Sequence, residues 1–267
     1  MIGKVLMDQI PGHETYGIRI PRRHETDPHI VGDLRERYGD LPYDILLYNF
    51  LTDHFKDMDV IIHLGWDTKT ERWGSNETNP DNTLMYLFAY RVAAEQGVQR
   101  LIGASSVHAD ECFEHLGKME RHLLELDQKP GFQHEPLSYG LDESKLLAPD
   151  RIPPRPNTPY GFKKVVMEED ARAIANDERY NLEIIMVRFG GVTSHGLPYH
   201  GEESLFLSHD DCRRLMLCCI EADLKKPFTV VYGVSDNENP IVSWRNEDIG
   251  YVPQDSVMKT LMQREHL

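Results

Sequence analysis

The chain of 267 residues lacks the spaced motifs that mark metal centres and disulfide frameworks. It contains four cysteines, none in Cys-x-x-Cys spacing, and its 13 histidines include no His-Glu-x-x-His motif. The sequence therefore predicts neither a zinc site nor a disulfide framework. Cys212, Cys218 and Cys219 fall in one predicted helix, where we expect buried, reduced thiols.

Positive charge and long apolar runs are also scarce. Lys and Arg number 29 against 44 Asp and Glu, which gives a formal net charge of −15. This excess of negative charge argues against nucleic acid and against anionic membranes as partners. No apolar run approaches the roughly 20 residues that a membrane-spanning helix needs, and no signal peptide is recognised at the start. By default, we expect a cytoplasmic protein.

Hydrophobic periodicity predicts alternating strands and helices, the pattern of a mostly parallel sheet with helices on both faces. The chain is long enough for one sizeable core, so one domain can contain all of it. The predicted strands are 16–20, 29–31, 59–64, 100–105, 182–188 and 228–232, and the predicted helices are 82–97, 160–176 and 208–222, the last capped by Ser208. The predicted fold class is α/β, Rossmann-like and doubly wound.

A tyrosine and a lysine four residues apart carry the chemistry that the sequence predicts. Tyr160 and Lys164 share one face of a predicted helix. A tyrosine is a poor base at neutral pH because its unperturbed pKa is about 10, but a close ammonium favours the phenolate. Ser106, at the end of an apolar predicted strand, is suited to hold an alcohol oxygen while the phenolate takes its proton. The three residues together predict oxidation of an alcohol, although a Tyr-x-x-x-Lys pair alone also occurs on solvated helices.

The segment 109–156 differs from the rest of the chain because it is charged and contains six prolines. We interpret it as an excursion over the carboxyl edge of the sheet, where ligands of open α/β sheets bind. A surface decoration without function is the alternative interpretation.

The glycine-rich loop that normally follows the first strand of a dinucleotide-binding sheet is incomplete. Such a sheet opens with a strand, Gly-x-x-Gly-x-x-Gly and a helix. Here Ile2, Val5, Leu6 and Ile10 follow helical spacing, so the chain is predicted to begin within the loop, with Gly3 as its last glycine. The fold is therefore predicted to be N-terminally incomplete.

Two hypotheses account for this opening. In the first, the reading frame starts at an internal methionine, and an in-frame stop directly upstream of its codon would refute it. In the rival hypothesis, residues 4–10 are themselves the first strand, and Gly12 and Gly17 form a degenerate loop.

With these pieces placed, the chain resembles the extended short-chain dehydrogenase/reductase family over nearly its whole length. Five signals occur in the family's order: Gly3 at the end of the glycine motif, Gly32-Asp33-Leu34 as the adenine contact after the third strand, His63-Leu64-Gly65 at the end of the fourth strand, Asn82 opening the next helix, and Ser106, Tyr160 and Lys164 in the catalytic places. The resemblance implies that Tyr160 is the base, that Ser106 positions the substrate oxygen and that Lys164 also holds the nicotinamide ribose.

The resemblance also implies a binding site for NAD or NADP. The residues expected to bind the cofactor are Gly3, Arg22, Asp33, Leu34, Leu64, Gly65, Asn82 and Lys164. An acidic residue after the second strand normally signals NAD, whereas this place reads Pro-Arg-Arg-His at 21–24. Guanidinium groups there suit the 2′-phosphate of NADP, although a solvated basic loop is the alternative. Both cofactors stay open.

Within the family, the chain is most similar to uronate dehydrogenases and to archaeal NAD-dependent sugar-6-phosphate dehydrogenases, on segments 104–108, 207–211, 232–237 and 250–253. Such enzymes oxidise the C1 hydroxyl of an aldose or uronic acid to a lactone. The resemblance implies a sugar-like substrate that contacts Thr68, Ser106, Val107, His108 and His200.

Two departures argue against uronate specificity. Val107 stands where uronate dehydrogenases carry a substrate-binding asparagine, and Gly201 stands where their carboxylate-binding arginine is expected, beside Glu202 and Glu203. An anionic substrate facing these glutamates would be repelled.

The resemblance divides the single domain into a cofactor-binding part, about 1–108 and 157–192, and substrate-binding segments, about 109–156 and 193–267. It also implies a homodimer formed through the predicted helices 82–97 and 160–176. An alternative function is that of a nucleotide-sugar epimerase or dehydratase, which uses the same triad with a tightly held NAD. A further alternative is a non-catalytic dinucleotide-binding protein or an inactive truncated product.

Overall fold

The computed structural model describes residues 2–6, 10–23, 27–67, 79–110, 154–198, 201–238 and 240–265. Its sheet consists of β1 (Val60–His63), β2 (Arg100–Ser106), β3 (Glu183–Phe189) and β4 (Phe228–Gly233). The four strands lie side by side in chain order, and each neighbouring pair is parallel. The strands predicted at 59–64, 100–105, 182–188 and 228–232 are confirmed.

Helices connect and flank these strands. They are α1 (Ile2–Leu6), α2 (Pro28–Tyr38), α3 (Tyr43–Phe55), α4 (Pro80–Glu95), α5 (Pro159–Ala175), α6 (His209–Glu221) and α7 (Val257–Glu265). The helices predicted at 82–97, 160–176 and 208–222 are confirmed as α4, α5 and α6. Within the described ranges, no helix is both long and apolar enough to cross a membrane.

The side chains of β3 alternate between two apolar clusters. Ile184 and Met186 join the cluster that contains α3, α4 and α5, whereas Ile185, Val187 and Phe189 join the one that contains α1 and α6. An alternation with a period of two residues is what a strand buried on both faces requires. The Rossmann-like α/β fold, with helices on both faces of a parallel sheet, is therefore confirmed.

The strand predicted at 29–31 is wrong, because these residues lie in the first turn of α2. The Asp27 carboxylate accepts a hydrogen bond from the backbone N–H of His29 (3.1 Å), and Pro28 is the first helical residue. An aspartate cap followed by proline is a strong helix start. The Gly32-Asp33-Leu34 segment therefore lies inside a helix and does not follow a third strand.

The strand predicted at 16–20 is also wrong. Residues 13–22 have no regular secondary structure, and the side chains of Tyr16 and Ile18 are 67% and 44% exposed. Alternating apolar residues predict a strand only where a neighbouring strand and an apolar layer receive them. Here only Ile20 of this segment packs against an apolar cluster.

The opening residues form helix α1, as the helical spacing predicts. Val5 and Leu6 are buried in the cluster that contains α6, and the Arg213 side chain of α6 donates to the carbonyl oxygen of Val5 (3.0 Å). The rival interpretation of residues 4–10 as a strand is wrong for Lys4–Leu6, the part of that range before the gap in the described residues.

A buried carboxylate, Asp211, ties the C-terminal segments to the start of α6. The cap predicted at Ser208 is confirmed, since its hydroxyl accepts from the backbone N–H of Asp211 (3.0 Å). The fully buried Asp211 carboxylate accepts from the Ser235 hydroxyl (2.7 Å) and from the backbone N–H groups of Gln254 (2.8 Å) and Asp255 (3.0 Å). Three segments that are distant in the sequence are thus joined by one side chain.

We predict that Asp211→Asn lowers the free energy of unfolding by about 2–4 kcal/mol, because an amide donor would face groups that themselves donate. Urea denaturation followed by circular dichroism measures the change. The neighbouring Asp210 is the matched control: its side chain is 74% exposed and pairs with Arg213, so Asp210→Asn should change stability by less than about 1 kcal/mol. Equal effects of the two substitutions would contradict the role given to Asp211.

Candidate active site

Helix α5 places Tyr160 and Lys164 in its first two turns. Thr158 caps the helix with its hydroxyl, which accepts from the backbone N–H of Gly161 (3.1 Å), and Pro159 is the first helical residue. Both residue types favour a helix start. The start of α5 is thereby fixed, and with it the face on which the tyrosine and the lysine lie.

A glycine lets the start of α5 approach the chain that follows β2. This chain forms a short 3-10 turn at Val107–Ala109, and a Cβ added to Gly161 would lie only 2.1 Å from the carbonyl oxygen of His108. No side chain fits in that space. The His108 ring lies 5.7 Å from the Tyr160 ring, with an interplanar angle of 71°.

The Lys164 side chain reaches the end of β2. Its ammonium donates to the carbonyl oxygen of Ala104 (2.8 Å), and the residue is only 2% exposed. The nitrogen Nζ lies 3.8 Å from the centroid of the Trp66 ring and 5.5 Å from that of Tyr160. Lys164 is therefore held in a buried, aromatic environment next to the phenol.

Ser106 ends β2 and caps the 3-10 turn. It is 6% exposed, and its hydroxyl oxygen accepts from the backbone N–H of His108 (3.3 Å). Ser106 stands between Ala104 and His108, which are the residues that Lys164 and the start of α5 contact. The structure thus brings all three predicted catalytic residues to one end of β2, and their catalytic roles stay predictions.

A buried ion pair fixes α5 one turn beyond Lys164. The Glu168 carboxylate accepts from Nε (2.9 Å) and Nη2 (2.8 Å) of Arg188 on β3 and from the Ser105 hydroxyl (2.5 Å). Glu168 and Arg188 are each 2% exposed. Bidentate, charge-assisted pairs of this kind fix geometry strongly. Arg188 therefore anchors the structure at a strand end.

His63, at the end of β1, belongs to the predicted His63-Leu64-Gly65 signal, but the sequence does not predict its burial. Its ring stacks on that of Tyr86 (4.0 Å), and its Nδ1 accepts from the backbone N–H of Gly65 (3.2 Å). Burial, assisted by the charge of Lys164, lowers the pKa of His63 to about 3. The ring is thus neutral with its proton on Nε2, and this buried N–H has no partner among the described residues. No spacing in the sequence signals this state.

Five residues predicted to bind the cofactor lie on or near the segment that follows β1. Leu64 and Gly65 belong to it, and a Cβ on Gly3 would lie 3.9 Å from Leu64. The Asn82 side chain accepts from the backbone N–H of Asp67 (2.7 Å) and donates to its carbonyl oxygen (3.1 Å). Arg22 Nε lies 3.9 Å from the Asp67 carboxylate.

Two other cofactor predictions lie elsewhere. Asp33 is exposed on α2, and Leu34 packs half-buried against the cluster that contains α3 and α4. Both residues therefore lie in α2 and not on the segment that follows β1.

The residues predicted to contact the substrate also lie in different places. His108 is half-buried beside Tyr160, whereas Val107 is buried in an apolar cluster with Leu205 and Tyr232. Thr68 and His200 lie outside the described residues. The part of the chain that the structure describes contains no cluster of three or more side chains able to hold a metal ion.

The chain is similar to several known sugar dehydrogenases. No family model matches the chain. The NAD-dependent glucose-6-phosphate dehydrogenase of Haloferax volcanii is 30% identical over 213 residues, which are 78% of this chain and 72% of that protein. The uronate dehydrogenase of Pseudomonas putida is 29% identical over 74% of this chain and 62% of its own length. A crystal structure of glucuronic acid dehydrogenase from Chromohalobacter salexigens has a TM-score of 0.58 at 26% identity and covers 82% of this chain and 68% of that chain.

We predict that Gly161→Ala lowers the free energy of unfolding by about 1–3 kcal/mol, because the added methyl group overlaps the carbonyl of His108 and must push α5 outward. Urea denaturation measures the loss. Gly32, exposed on α2 with open space around it, is the matched control, and Gly32→Ala should stabilise the protein by about 0.5–1 kcal/mol. A neutral Gly161→Ala variant would show that the close approach does not matter.

Proposed function

The chain belongs to the extended short-chain dehydrogenase/reductase family, and we propose on this premise that it oxidises the C1 hydroxyl of a sugar or sugar acid to a lactone with NAD. The observation that carries the proposal is the arrangement at the end of β2. Tyr160 and Lys164 share one face of α5, and α5 contacts the chain on both sides of Ser106. The resemblance to uronate and sugar-6-phosphate dehydrogenases is confirmed by the comparisons.

In this proposal Tyr160 is the general base. Its phenolate takes the proton of the substrate hydroxyl, and the Lys164 ammonium favours the phenolate by direct attraction. The Ser106 hydroxyl holds the substrate oxygen in place. General-base assistance of this kind contributes about 10²–10⁴ in rate, and positioning of the reactants contributes much of the remainder.

The residues at the end of β1 fit a nicotinamide nucleotide. His63 offers a buried, unpartnered N–H, and Gly3 and Gly65 present no side chains beside Leu64. Together with Lys164, these residues would hold the nicotinamide end of the cofactor. A bound nicotinamide supplies the hydride acceptor.

The charges around the basic segment 21–23 favour NAD over NADP. Arg23 donates to the carboxylates of Asp81 (2.9 Å) and Asp44 (2.9 Å), and Arg22 lies 3.9 Å from that of Asp67. Both guanidinium groups therefore have acidic neighbours that compete with, and repel, a 2′-phosphate. We therefore keep Arg22 among the residues proposed to bind NAD and give it no contact with a 2′-phosphate.

For the substrate, we favour an aldose over a uronic acid. Gly201 carries no side chain where the resemblance places a carboxylate-binding arginine, and its backbone N–H donates to the exposed Glu203 (3.0 Å). A negatively charged group next to Glu202 and Glu203 would be repelled. Assays of aldoses, uronic acids and sugar phosphates with NAD and NADP identify the sugar.

We predict that Tyr160→Phe lowers kcat at least about 100-fold, because the variant lacks the general base, and leaves NAD binding unchanged. Reduced cofactor measured at 340 nm reports turnover, and isothermal titration calorimetry reports binding. Tyr16→Phe is the control, since the ring of Tyr16 is 67% exposed outside this site. Turnover retained by Tyr160→Phe would reject the assignment. Tightly held NAD without net turnover would instead favour an epimerase.

We also propose that the chain forms a homodimer through α4 and α5. The two helices present exposed apolar side chains, with Phe162 60% and Leu87 38% exposed. Exposed apolar side chains on adjacent elements are typical of an interface when they form one patch.

We predict that Phe162→Glu converts the dimer to a monomer, because it buries a charge in the proposed interface. Size-exclusion chromatography with light scattering measures the mass. Tyr16→Glu is the control, since this exposed aromatic residue lies outside α4 and α5. A dimer that survives Phe162→Glu, or a wild-type monomer, would contradict the proposed interface.

A further inference from the structure

Trp66, which follows β1, contacts both members of the Tyr160–Lys164 pair. The centroid of its ring lies 3.8 Å from Lys164 Nζ, and its ring meets that of Tyr160 at 5.3 Å with an interplanar angle of 89°. We propose that Trp66 is a positioning residue that fixes the Lys164 ammonium beside Tyr160 and thereby favours the phenolate. The inference rests on the proposed function, because it takes Tyr160 as the base.

The lysine needs such a partner because its side chain has four rotatable bonds. An ammonium on a flexible stem loses rotamer entropy when it is held in one place. The Ala104 carbonyl fixes one direction of the ammonium (2.8 Å), and the indole of Trp66 covers another. Among the aromatic side chains, tryptophan attracts a cation most strongly, and the attraction increases when the cation is desolvated, as Lys164 is at 2% exposure.

Trp66 is itself held in place by its surroundings. Its ring meets that of Tyr86 at 6.2 Å with an interplanar angle of 64°. The next residue, Asp67, is bonded at both its backbone N–H and its carbonyl oxygen to the fully buried Asn82. The position of the Trp66 indole is therefore fixed, and the indole can in turn position Lys164.

Two other titratable side chains near Lys164 are neutral. His63 on β1 is neutral, since burial lowers its pKa to about 3. Tyr86 on α4 is also neutral, because burial raises its pKa far above the ordinary value. The ring of His108, in the turn after β2, lies 5.7 Å from that of Tyr160. On α5, Lys164 lies against the rings of both Trp66 and Tyr160, whereas the neighbouring Lys163 donates to the backbone carbonyl of Asn79 (2.8 Å).

The test is the pH at which Tyr160 ionises in the protein without substrate or cofactor. Protein labelled with ¹³C at the tyrosine ring carbon that bears the hydroxyl gives one NMR signal per tyrosine, and Tyr160→Phe assigns the signal of Tyr160. The variants Trp66→Phe and Trp66→Leu form a graded series, from a weaker aromatic partner to none. We expect the ionisation midpoint to rise by about one pH unit, a tenfold loss of phenolate at a given pH below it, in Trp66→Leu and by less in Trp66→Phe. If the leucine variant does not fold, the phenylalanine variant alone still decides the direction.

Phe228 provides the matched control. Its ring lies 4.5 Å from the Arg172 guanidinium carbon, and it stands at the opposite end of the sheet, at the first residue of β4. Phe228→Leu therefore removes a cation–π contact of a buried ring without touching Lys164, and the Tyr160 midpoint should stay unchanged. A midpoint that is unchanged in the Trp66 variants, or that rises equally in Phe228→Leu, overturns the proposal. Because the titration involves no turnover, it separates this outcome from failure of the proposed function, which the sugar assays report.

Discussion

The packing of helix α5 on the carboxyl end of β2 is the interaction on which the proposed site depends. Three contacts in successive turns hold it: Gly161 against the His108 carbonyl, Lys164 on the Ala104 carbonyl, and Glu168 with Ser105 and Arg188. The third is a buried ion pair whose carboxylate also accepts from the Ser105 hydroxyl and whose guanidinium also donates to the Tyr232 hydroxyl (3.3 Å). Buried charges require such additional partners. This docking positions Tyr160, whose ring also meets those of Trp66 and His108 at an edge.

The buried surroundings of Lys164 strengthen the action of its charge on the Tyr160 phenol. An ammonium in water is screened, whereas one that is buried among aromatic rings acts on a nearby group through a medium of lower dielectric constant. His63 is kept neutral and Tyr86 is kept protonated by burial. The end of β1 and the start of α4 thus contribute a weakly polar enclosure to the chemistry proposed at the end of β2.

The sequence predicts the parts of this arrangement that are local. Apolar runs identify all four strands of the described sheet, and the spacing of Tyr160 and Lys164 places both on one face. The strand predicted at 16–20 is wrong because alternation does not reveal whether a neighbouring strand is present. The contact between Trp66 and Lys164 joins residues from distant parts of the chain, so no spacing reveals it. The neutrality of His63 comes from burial, which only the packed fold determines.

Transfer of deuterium from C1 of a sugar tests the central claim most directly. Aldoses, uronic acids and sugar phosphates that carry deuterium at C1 are incubated with the protein and NAD, and the cofactor is examined by mass spectrometry. The account predicts that one of these sugars delivers its deuterium to the nicotinamide ring while its own C1 becomes a lactone carbonyl. Reduced cofactor without the label, or no reduction with any sugar of the panel, would contradict it.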